Sequence, residues 1–139
     1  MMRGKVIIFI PENASYSEGL QSMTESISPF AETEIVRSLN DLSKQLLPRA
    51  LQSLPVVIVL APTRADLQGL LEVQELFENT RLILVLSDAD EETVALGHRM
   101  RPRFIGYLAN GFTEIAAVVR KMLGELSPRK SIRERRLWA

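Results

Sequence analysis

Residues 55–61 read PVVIVLA and residues 82–87 read LILVLS. Both runs are short, nearly continuous in apolar residues and rich in β-branched side chains. A continuous apolar run of that length suits a strand covered on both faces, as in a parallel sheet. Working outward, three further runs have the same character. Residues 5–10 open the chain, residues 34–37 are short and half polar, and residues 104–108 read FIGYL.

The intervening segments carry helical spacing. Residues 113–126 give the clearest case: Ile115, Val118, Val119, Met122, Leu123 and Leu126 recur along one stripe, with Thr113 as N-cap and Pro128 beyond the end. Residues 64–78 align Leu67, Leu70, Leu71, Gln74 and Phe77. Residues 15–28 align Tyr16, Leu20, Met23 and Ile27, and residues 40–53 align Leu42, Leu46, Leu47 and Ala50, with Pro48 expected to kink or shorten that helix. Residues 89–100 have the weakest stripe and contain Gly97, so this helix is the one expected to be short or mobile. Strand and helix thus alternate five times. Right-handed crossovers turn that pattern into a three-layer α/β/α sandwich around a five-stranded parallel sheet.

Composition agrees with one globular domain. The chain has 139 residues, 46% hydrophobic and 24% charged. No apolar run approaches the length of a transmembrane helix, the first run is broken by Pro11 and Glu12, and a cytoplasmic address is expected. Cysteine is absent, which excludes disulfides, thiolate nucleophiles and Cys-based zinc sites; the single histidine, His98, excludes a His-pair metal site. Net charge is zero but unevenly spread. Residues 127–139 hold five basic side chains against Glu134, which sums to +4 and leaves −4 on residues 1–126. Residues 1–126 read as the domain and residues 127–139 as a basic C-terminal tail or linker, with nucleic acid the less expected partner.

Ligand sites in open α/β sheets lie beyond the carboxyl ends of the strands. Read there, the chain resembles the receiver domains of two-component response regulators, the CheY-like, flavodoxin-like class with strand order 2-1-3-4-5. The likeness spans about residues 3–126. It is strongest in RLILVLSDADEETVALG (81–97), which is similar to a receiver's fourth strand and following helix. FIGYLANGF (104–112) is similar to the fifth strand and its loop.

The resemblance implies an aspartate nucleophile ending the third strand, two acids after the first strand to hold Mg²⁺, a Ser/Thr after the fourth, an aromatic in the fifth and a lysine after it. A divalent ion and a lysine are needed there because the incoming phosphoryl group carries several negative charges. The chain departs from this pattern where the chemistry sits. Ala61 falls at the phosphoacceptor position, Pro11 and Glu12 at the acid pair, and Asn110 at the lysine. Ser87, Tyr107 and Phe112 match the hydroxyl, switch-aromatic and post-loop positions.

The resemblance therefore implies a degenerate receiver that acts as a phosphorylation-independent protein-interaction module. No enzymatic activity, catalytic residue, metal or cofactor is expected. Its partner, a protein or a second copy, would bind the face of the fourth helix, fifth strand and fifth helix, through Arg99, Arg101, Arg103, Tyr107, Glu114 and Arg120, and no membrane association is expected. Each residue also has a plainer reading. Ser87 can cap the next helix and Tyr107 can simply pack. Glu12 and Asp88 can be a solvated pair, since two carboxylates alone hold Mg²⁺ poorly. Asp66 and Asp88 are misplaced as substitute phosphoacceptors, and His98 reads as a surface residue. Two alternatives stand: a flavodoxin-like crevice beyond Pro11, Pro62, Ser87 and Asn110 that binds a small molecule, or a receiver with displaced chemistry. Neither GxGxxG nor GxxxxGK[ST] occurs.

Overall fold

The computed structural model describes residues 4–12, 14–15, 17–46 and 54–124. Five parallel strands, β1 (Gly4–Phe9), β2 (Ala31–Val36), β3 (Val56–Ala61), β4 (Arg81–Leu86) and β5 (Phe104–Tyr107), form one sheet in the order β2-β1-β3-β4-β5. Five helices alternate with them: α1 (Glu18–Ile27), α2 (Leu39–Leu46), α3 (Arg64–Glu72), α4 (Glu91–Arg99) and α5 (Thr113–Gly124). This is the expected architecture and strand order.

The central strands explain their own composition. Side chains alternate across a strand, so β3 sends Val56, Ile58 and Leu60 to one core and Val57, Val59 and Ala61 to the other. The first core packs beneath α1 and α5 through Leu20, Met23, Ile27, Ile115, Val119 and Leu123. The second packs beneath α2, α3 and α4 through Leu42, Leu67, Leu70, Phe77 and Met100. With both faces covered, every residue of β3 and β4 is buried, including Arg81. The outermost strand β2 is longer than residues 34–37. It begins at Ala31, and its polar middle is tolerated because it pairs only with β1.

Several boundaries differ from the sequence expectation. α1 starts at Glu18 rather than residue 15, because the Ser17 hydroxyl accepts from Leu20 N–H and caps it. The helix expected over 64–78 is two pieces: α3 stops at Glu72, and Gln74–Phe77 is a separate 3₁₀ turn after Val73 leaves helical geometry. Thr113 is the first residue inside α5 rather than its cap, and the Phe112 carbonyl accepts from Ala116 N–H. α4 is short, at nine residues, the same as α3. Gly97 is buried there, where a Cβ would stand 3.2 Å from Leu86 and 3.3 Å from Leu84. The glycine lets α4 sit close on β4, so the weak apolar stripe reflects close backbone approach. Tyr16, Leu47, Pro48, Ala50, Leu126 and the tail 127–139 lie outside the described residues.

Candidate functional site

All five strands are parallel, so their carboxyl ends lie at one edge of the sheet. The loops that follow them gather the residues singled out in the sequence. Ala61 ends β3 and is 1% exposed, with its methyl in the second core. Pro11 is buried two residues past β1, and Glu12 beside it is exposed. Asn110 is exposed at the end of a 3₁₀ turn (Leu108–Asn110), and Gly111 follows with φ 73, the left-handed region that glycine enters freely. Tyr107 is half-buried and packs on the second core, the side occupied by α4.

Ser87 is half-buried just past β4 and does not cap α4. Its Oγ donates to Asp88 Oδ2 at 3.2 Å. Asp88 instead closes a turn in the loop ahead of the helix: its Oδ1 accepts from Asp90 N–H at 3.0 Å, and the N-cap residue Asp90 makes no side-chain cap bond. That backbone bond, then a bond from the Thr93 side chain, hold the exposed Asp88 carboxyl below its ordinary value of 3.8. Desolvation opposes them, and the Ser87 hydroxyl and the Arg64 charge add smaller effects in the lowering direction.

Two arginines that the sequence did not single out hold the loops at this edge. Arg37, just past β2, reaches across to the loop between β1 and α1. Its Nη2 donates to the carbonyls of Ala14 at 2.6 Å and Pro11 at 3.2 Å. Arg64, the first residue of α3, donates from Nη1 to Glu92 Oε2 at 2.9 Å and from Nη2 to Thr93 Oγ1 at 3.1 Å. No spacing rule finds such residues, because each bond joins loops or helices far apart in sequence.

The fold is CheY-like. The chain is similar to a solved response regulator CheY-like protein from Mesorhizobium loti, with a TM-score of 0.52 and 17% identity over 76% of this chain and 86% of that one. At that identity the likeness carries the fold alone. No family model matches the chain, and no curated protein does.

The CheY-like resemblance implies Mg²⁺ at this edge, and the residues present do not fit that ion. Pro11 brings no donor side chain, Glu12 points to solvent, and Ala61 ends in a methyl. The Arg37 guanidinium already places a positive charge against the β1–α1 loop. Among the described residues no three His, Asp or Glu side chains converge as a metal set.

The residues expected on the partner face are dispersed. Arg99 lies in the groove between α3 and α4, beside Arg64, Gln68 and Leu96. Arg120 donates to Ser26 Oγ of α1 at 3.3 Å and lines the groove between α1 and α5. Arg101 and Arg103 line a cleft before the amino ends of β4 and β5, with Glu75, Glu78 and Thr80. Only Tyr107 and Glu114 stay near the intended face. Helix phase explains the displacement. Thr93 and Gly97 are the buried positions of α4, which turns Arg99 toward α3 and leaves Val94 and His98 on the β5 flank. On α5 the same reasoning sets Glu114 and Val118 on that flank, opposite Arg120. His98 is exposed, as expected. Among the described residues no helix is long and apolar enough to cross a membrane.

Proposed function

We propose that this chain is a receiver-like signalling module that binds its partner without being phosphorylated. The observation that carries the reading is Ala61. It ends β3, where the resemblance asks for the nucleophile, and its methyl is buried in the second core. A methyl has no lone pair with which to attack phosphorus. The supporting groups are missing at the same edge: Asn110 stands in place of the lysine, and Pro11 with the exposed Glu12 in place of the acid pair. No covalent step is assigned to the chain, and residues 127–139 serve as tail or linker.

The partner surface is the flank of α4, β5 and α5, now centred on Val94, His98, Tyr107, Glu114 and Val118. β5 is an outermost strand of only four residues. Mixed polar and apolar groups over such an edge suit a modest interface with a protein or a second copy.

The test is incubation with acetyl phosphate or beryllofluoride plus Mg²⁺, read by intact mass and tyrosine spectra. The expected result is an unchanged mass and unchanged spectra. A gain of one phosphoryl group overturns the reading. Light scattering on wild type and Tyr107→Ala/His98→Glu tests self-association: a wild type that is monomeric at high concentration leaves a different protein as the partner.

A further inference from the structure

We propose that Arg64 is an internal latch that holds the β4–α4 loop and the first turn of α4 in one position, so that the partner flank is presented in a single conformation. The proposal rests on the interaction-module reading above and adds how the binding surface is kept ready.

The latch begins with a residue in an unfavourable place. Arg64 occupies the first turn of α3, where the helix dipole opposes a positive charge. Its side chain is directed at the start of α4, where Asp90, Glu91 and Glu92 gather negative charge. Besides the bonds to Glu92 and Thr93, its Nη2 lies 3.7 Å from Asp90 Oδ2. One planar guanidinium thus meets three residues of the loop and first turn through a fixed fork of donors, a geometry that a flexible ammonium lacks.

The anchor on the far side is firm. Glu92 and Asp90 are mostly exposed, so their ion pairs are weak alone. Thr93 is 2% exposed and faces the sheet, so its hydroxyl fixes the guanidinium to a residue that cannot swing away. The Thr93 side chain also helps hold the Asp88 carboxyl in its charged form, and Asp88 accepts from Ser87 and from Asp90 N–H. The chain of contacts therefore runs from α3 through Arg64 and Thr93 to Asp88 and Ser87. Those residues span the whole connection between β4 and α4. The latch sits three residues after Ala61, next to the edge where phosphoryl chemistry is missing, and it needs no added ligand.

The test is hydrogen–deuterium exchange on the full chain, comparing amides of residues 87–94 with those of β3. In Arg64→Ala, exchange over 87–94 is expected to rise by about fivefold to thirtyfold, with β3 unchanged. Arg64→Lys keeps the charge but not the fork, and is expected to fall between alanine and wild type. Glu92→Gln is expected to raise the same amides by a smaller factor, and decides the matter if Arg64→Ala does not fold. Unchanged exchange over 87–94, or a rise of equal size throughout the sheet, overturns the latch. The phosphoryl-uptake experiment bears on the module reading alone, so the two ideas fail separately.

Discussion

Arg81 donates from Nη1 to the carbonyl of Met122 at 2.8 Å, which ties the first residue of β4 to the last turn of α5. Its Nη2 donates to Leu54 O at 3.0 Å, just before β3, and the Arg81 side chain is almost wholly buried. Arg81→Met keeps much of the volume but strips two carbonyls of their donors. It is expected to cost about 2–4 kcal/mol, since buried acceptors left unmet lose bonds to a charged group. The midpoint of urea unfolding measures this, and an unchanged midpoint refutes it.

Placing an aspartate at residue 61 is not expected to confer phosphorylation. Ala61 faces the second core, so the carboxylate of Ala61→Asp would enter an apolar space beside Val59 and Leu86. Burial raises the folded pKa of such an acid, so its cost is largest at neutral pH and fades as pH falls below the unfolded value. A loss of about 2–4 kcal/mol at neutral pH is expected, with no phosphoryl gain from acetyl phosphate. Unfolding across pH and intact mass check the two halves.

Asp88 has the opposite sign. Its folded pKa is depressed, chiefly by the Asp90 N–H and then by Thr93. The stability it adds is therefore present above the unfolded pKa and lost as pH falls through the folded one. Wild type should melt higher than Asp88→Asn at neutral pH, and the gap should close in acid. A gap that is constant with pH rules this out.

Two glycines should respond in opposite directions. Gly69 lies inside α3 with nothing within 4 Å of an added Cβ. Gly69→Ala is expected to stabilise by about 0.5–1 kcal/mol through helix propensity. At Gly97 the same methyl meets Leu86 and Leu84, and the expected crowding of about 1–3 kcal/mol exceeds the propensity gain. Thermal melts of both variants test the contrast.

The alternation of apolar runs with helical stripes determined the layers and the sheet by itself. PVVIVLA and LILVLS can satisfy their side chains only when covered on both faces, and that requirement is local. The same reading placed Ala61, Ser87 and Asn110 at strand ends, because one edge of a parallel sheet collects them. Tertiary structure alone decided which way the arginines face. Whether Arg99 points to α3 or to β5 depends on helix phase, which is set by Gly97 settling on β4. Arg37 and Arg64 act through bonds between segments 23 and 28 residues apart. Such contacts leave no periodic trace, since a long flexible side chain finds its partner only after the elements have packed.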